Sequence, residues 1–180
     1  MSPARALLIL FLMLTADLCL ADGQPVSFLD MTSEVPADWI ASEPSSDMRL
    51  LQFTLPAADE AGAAELVVYY FGPGQGGSLE ANVARWTSQF SSVDGPVEPV
   101  ITPLTGKLPA TLVELTGSYA RGVGVGPVGD ALENRTLLAG VVETPRGNLY
   151  PQLYGPAALV AKHKAEFVGF IAGISQVPSP

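Results

Sequence analysis

His163 is the only histidine in the 180-residue chain, and Cys19 is the only cysteine. That scarcity limits the available chemistry. A zinc or copper centre draws on several His and Cys ligands, so no metal site is expected. His163 follows Leu159 and precedes Phe167 at steps of four, between Lys162 and Lys164. It reads as a histidine at the edge of a helix–sheet contact. Serine catalysis would need a base beside the nucleophile. Ser33, Ser45, Ser46 and Ser118 fall in loops or at strand ends, none in a Gly-x-Ser-x-Gly turn, with His163 as their only partner.

Glu114 and Glu143 lie in stretches that read as neighbouring strands. A paired acid and base of that kind would suit a carboxylate-dependent hydrolase of envelope glycans. Charged residues on the wet face of an antiparallel sheet give the same pattern, and that is the simpler expectation. Gly72-x-Gly74-x-x-Gly77 matches the dinucleotide fingerprint in form, and Asp94 lies 17 residues beyond it. A Rossmann unit needs a second parallel strand before its acidic residue, and Ser91, Ser92 and Val93 leave no room for one. The expectation is a flexible turn, with Ser78 as N-cap and Glu80 in the first turn of a helix. We therefore assign no catalytic, cofactor-binding or metal-binding residues, and no cofactor.

The elements around these residues can be read from periodicity. Residues 65–71 (Glu-Leu-Val-Val-Tyr-Tyr-Phe) are nearly all apolar, β-branched or aromatic, as in a buried central strand. Ser78 opens a helix reaching Phe90, with Leu79, Val83, Trp86 and Phe90 on one stripe. Upstream we expect a short strand near Val26, then a loop in which Trp39 plugs one edge of the core. Alternation of Leu51, Phe53 and Leu55 makes 48–55 a strand. Downstream, 91–103 reads as loop, a strand begins within 105–107, and 110–119 is a strand. Gly122, Gly124, Gly126 and Gly129 make 120–133 a mobile connection. Strands at 135–144 and 149–154 flank the turn Pro145-Arg-Gly-Asn148. A last helix starts at Gly155-Pro156, with Leu159, Phe167, Phe170, Ile171 and Ile174 buried, and 176–180 frays. Of Tyr69, Tyr70, Tyr119, Tyr150 and Tyr154, most are core, and one or two remain for an interaction patch. The order predicts an α+β fold, an antiparallel β-sheet with two main helices packed on it.

The charge pattern excludes some partners. Nine Lys and Arg against 18 Asp and Glu give a net charge of −9, without a basic run. Nucleic acid and anionic membranes are poor partners for such a chain. Arg5 precedes the apolar run 6–14, and small residues follow to Ala21 and Gly23. This is the layout of a cleaved signal peptide over 1–21, with cleavage after Ala21 or Gly23 and a single α+β domain over 22–180. No later stretch is long and apolar enough to span a bilayer, so the mature chain is expected to be secreted or periplasmic, and monomeric. A lipid anchor at Cys19 is the lesser alternative, since Leu18 stands where a lipoprotein signal has a small residue. With Cys19 in the leader, the mature chain has no disulfide. The sequon Asn134-Arg-Thr136 matters only in a glycosylating secretory pathway.

The run Trp39…Pro44-Ser-Ser-x-Met48-Arg49…Gln52-Phe53, the run Val68-Tyr-Tyr-Phe-Gly72 with Gly76-Gly77 and Arg85-Trp86, and Glu143-Thr-Pro-x-Gly147-Asn148-x-Tyr150 with Gly155-Pro156 together carry a resemblance. The chain resembles an uncharacterised family of exported bacterial proteins, and its layout is similar to the PsbP-like fold. The first likeness brings no activity and no site residues. The second implies an accessory or binding role by analogy of fold alone. The expectation is an exported, non-enzymatic envelope domain that binds a protein or small ligand.

Overall fold

Two antiparallel sheets and two helices make up the computed structural model, which describes residues 23–57, 62–120 and 131–177. The leader, Cys19 and the glycine-rich stretch at 122–129 lie outside the described residues. The chain forms a hairpin of β1 (Gly23–Phe28) and β2 (Met31–Pro36), then β3 (Ile40–Ala41), β4 (Arg49–Leu55) and β5 (Ala64–Tyr70). Helix α1 (Leu79–Thr87) leads to β6 (Phe90–Ser91), β7 (Val100–Leu104), β8 (Ala110–Tyr119), β9 (Leu132–Val142) and β10 (Leu149–Pro156). Helix α2 (Ala157–Gly173) and β11 (Ser175–Gln176) follow.

The larger sheet has the order β3-β4-β5-β10-β9-β8-β6, with β7 also paired to β8. Strand β5 lies between β4 and β10, antiparallel to both. That arrangement rules out a parallel nucleotide-binding unit around 65–71. Alternate residues divide the sheet into two faces. Leu66, Val68, Leu138, Val142, Leu149 and Leu153 pack with Val160, Phe167, Phe170 and Ile171 of α2 and with Ile174 at its C-cap. The opposite face, with Val113, Leu115, Leu137, Ala139 and Tyr150, packs on Trp86 of α1. The smaller sheet, β1-β2-β11, closes on α2 from its other side through Phe28, Met31 and Val35.

Several sequence expectations need correction. The first helix ends at Thr87, because Phe90 leaves it to pair with Tyr119, their rings 4.9 Å apart. The strand near Val26 is one arm of a hairpin whose second arm is β2. Its two-residue turn is Leu29 and Asp30, and Leu29 adopts φ +54° where Gly or Asn would have signalled a turn. Residues 100–104 are a strand, whereas 105–107 belong to the turn after it. Pro103 masks β7 in sequence, yet proline is compatible with an edge strand when its missing N–H faces away from the partner. Ser175 and Gln176 pair with Thr32 and Met31, so the tail begins later than expected. The last helix starts at Ala157, with Pro156 still paired in β10. Its buried stripe includes Val160 and His163, and Leu159 is only half-buried.

Two glycines give opposite expectations. A methyl group on Gly155 would sit 2.5 Å from the Ala64 Cβ and 2.7 Å from its Cα, where β10 crosses β5. Gly155→Ala should cost about 1–3 kcal/mol. A methyl group on Gly169 of α2 meets nothing within 4 Å, and Gly169→Ala should gain about 0.5–1 kcal/mol. Urea unfolding of both variants checks the signs.

Candidate functional site

A groove of about 700 Å³ opens between β2 and α2. Its strand wall is Ser33, Glu34, Val35 and Pro36, and its helix wall includes Glu166, Gly169, Phe170 and Gly173. Lys107 and Ser175 close one end, with Lys107 Nζ 3.5 Å from Ser175 Oγ. Packing fixes the walls. Ser33 is buried and donates to the Phe170 carbonyl at 2.7 Å, in the last turn of α2, where helix carbonyls run out of amide partners. Gly173 lies over that contact, since a Cβ there would stand 3.1 Å from the Ser33 hydroxyl. The glycines keep the helix wall low. Glu34 is exposed, and the Glu166 side chain is 44% exposed.

His163 is 5% exposed, deeper than an edge position. Its Nδ1 contacts the Glu166 carboxylate, and its ring meets Trp39 edge-on with centroids 6.1 Å apart. Trp39 is 2% exposed and does plug one edge of the core. Among the described residues, no three His, Cys, Asp or Glu side chains are grouped to hold a metal ion. The serines are no closer to forming a nucleophilic centre. Ser33 caps α2, Ser45 donates its backbone N–H to Gln52 Oε1, and Ser118 pairs with Ser91 in the sheet.

Glu114 and Glu143 do not face one another. Glu114 is opposite Leu138 in the ladder and accepts from Lys164 at 2.5 Å. Glu143 lies beyond the other end of β9, exposed, its N–H bonded to the Pro109 carbonyl. Glu143 is level with Pro109, five residues along the chain from Glu114, roughly 17 Å along a strand and further than two carboxylates flanking one glycosidic bond.

The loop over 72–77 is held more tightly than a flexible turn. Gly72, Gly74, Gly76 and Gly77 all have positive φ. Gly76 lies against Tyr150, so that a Cβ there would be 2.5 Å from the ring. The Tyr150 hydroxyl lies 3.1 Å from the Gly77 carbonyl and 3.3 Å from that of Gln75. Asn82, buried in α1, donates to the carbonyls of Gly76 and Ser78 at 2.8 and 2.9 Å. The loop carbonyls are thus bound from below. A phosphate cradle would instead present its amides to a ligand. Ser78 caps α1 through the Ala81 N–H, and the backbone N–H of Glu80, with the Ser78 hydroxyl, holds the Glu80 carboxyl below its usual range.

The other polar surface is on the α1 side of the sheet. Arg49 lies 5.4 Å over the Tyr69 ring and 3.4 Å from Glu65, while Gln52 donates to Glu65 at 2.9 Å. This network answers its own charges. Tyr150→Phe should cost about 1 kcal/mol and speed amide exchange across 72–77 without altering the sheet. Hydrogen exchange followed by NMR measures both.

No family model matches the chain, and no curated protein matches it. Solved structures do share its architecture. The solution structure of cyanobacterial PsbP (CyanoP) from Synechocystis sp. PCC 6803 is 14% identical, with a TM-score of 0.54 over 89% of this chain and 96% of that one. The crystal structure of LpqN, involved in cell envelope biogenesis of Mycobacterium tuberculosis, is 15% identical, with a TM-score of 0.54 over 87% of this chain and 91% of that one. At such identities the likeness shows the fold alone: a PsbP-like α+β arrangement of antiparallel sheet and packed helices.

Proposed function

We propose that the chain is an exported, non-enzymatic cell-envelope domain that binds a partner or ligand. The observation that carries this reading is the groove between β2 and α2, a built cleft of about 700 Å³ within the size range of ligand sites. The envelope role of LpqN, which shares the fold, supports the setting, as does the leader-like start of the chain.

The hydrolase reading loses its named pair, because Glu114 and Glu143 are at different levels of the sheet. Glu34 and Glu166 do share the groove, but both are open to water. A glycosidase acid is a carboxyl group withdrawn from solvent.

The export reading carries an expectation about where the mature chain begins. Gly23 is the first residue of β1 and is paired with Pro36, so cleavage after Ala21 leaves the hairpin whole. Mass spectrometry of protein recovered from the envelope fraction should give a chain starting at Asp22. A start at Gln24, an acylated Cys19 or a retained Met1 would count against it.

Binding is tested by filling the groove. Gly169→Leu has room for its side chain and should leave the melting temperature no lower. Chemical cross-linking in envelope preparations should give an adduct with the natural chain and not with the variant. Equal cross-linking of both, or release of reducing sugar ends from purified envelope glycan by the natural chain, would overturn the reading.

A further inference from the structure

We propose that the groove receives an extended peptide of apolar–basic–apolar pattern, added as a strand to the outer edge of β2. This deepens the binding reading above and rests on it.

The pairing pattern shows the opening. Val177 donates to the Asp30 carbonyl at 2.9 Å, and Ser175 is level with Thr32. Facing residues that exchange bonds recur at every second position of an antiparallel ladder. Asp30, Thr32 and Glu34 therefore turn their backbone groups away from β1, while Met31, Ser33 and Val35 turn theirs towards it. The chemistry of β1 agrees, because Pro25, which has no N–H, is the residue level with Glu34. Strand β11 satisfies the edge only as far as Thr32. At Glu34 an N–H and a C=O point into the groove, with no strand beside them among the described residues.

The side chains define what fits. A residue level with Glu34 places its side chain on the same face as that carboxylate, where a Lys or Arg forms a cross-strand pair. Its two neighbours point the other way, towards Phe170 and the hollow over Gly169 and Gly173. Small apolar side chains suit that hollow. Glu166 on the rim adds a second negative charge, and the chain as a whole carries −9, which favours a cationic strand over another copy of itself. The strand runs antiparallel to β2, in line with β11, and ends near Lys107.

The probe is acetyl-Thr-Val-Lys-Val-Thr-amide, titrated into isotopically labelled protein and followed by NMR. Shifts should be confined to 33–35 and 166–173, with a Kd below about 1 mM. Methylating the lysine amide nitrogen removes the donor opposite Glu34, and should weaken binding by about tenfold or more. Glu34→Pro removes the complementary donor without breaking a bond to β1, and should do the same. Replacing the peptide lysine by glutamate should weaken binding by about threefold. Equal binding of the methylated peptide, or shifts centred away from β2, would overturn the proposal. If Gly169→Leu abolishes the envelope adduct while Glu34→Pro keeps it, the strand proposal fails and the binding reading stands.

Discussion

Helix α2 is held from two sides, and most of the structure depends on that. Phe167, Phe170, Ile171 and Ile174 touch a core shared by both sheets, so the helix is apolar around more of its circumference than a surface helix. Burial of this kind, and not helix propensity, is what stabilises such an element. The three-stranded sheet has little to hold it otherwise. Its contribution to the core is Phe28, Met31 and Val35, and its link to the helix is the Ser33 hydroxyl on the Phe170 carbonyl.

The groove follows from the same packing. After Gly173 the chain turns into β11 and joins β2 at Thr32 and Met31. The turn before β8 reaches the same corner, with the Lys107 N–H on the Ala172 carbonyl at 3.0 Å. Gly106 permits that approach, since a Cβ there would be 2.8 Å from the Ala172 Cα. The helix end is therefore fixed, and β11 extends away from Glu34. What remains of the β2 edge lies beside the low glycine flank of α2. The groove is open here because the helix ends where it does.

Much of the fold is legible in the sequence, and the reasons for the exceptions are specific. Residues 65–71 and 110–119 can be read because two-sided burial leaves long runs of β-branched and aromatic residues. The β1–β2 turn cannot, because Leu29 occupies a left-handed position without the usual residue type. Strand β7 is hidden by Pro103 and by exposure on both faces. His163 is visible as a member of the α2 stripe, but its depth depends on Trp39 arriving from a loop more than a hundred residues earlier. The candidate groove is invisible for a related reason. Its residues come from 23–36, 107 and 166–175, and no local spacing links them. The direction of the Glu34 amide becomes known only once β11 is found.

The treatment of the other edges bears on how that amide should be understood. An unpaired strand edge invites aggregation, and proteins block it with proline, brevity or charge. Strand β3 is two residues long. Strand β1 carries Pro25 among its outward-facing positions, since Phe28 is level with Met31 across the two-residue turn and so shares its inward sense. Strand β7 carries Pro103, level with Thr111 of β8. Beyond Thr32, β2 has proline only at Pro36, whose carbonyl already accepts from the Trp39 N–H at 3.2 Å. Glu34 is left between them as the one charged guard. A carboxylate repels another acidic chain and attracts a cationic one, so in the proposed strand addition Glu34 would disfavour a second copy and favour a basic strand.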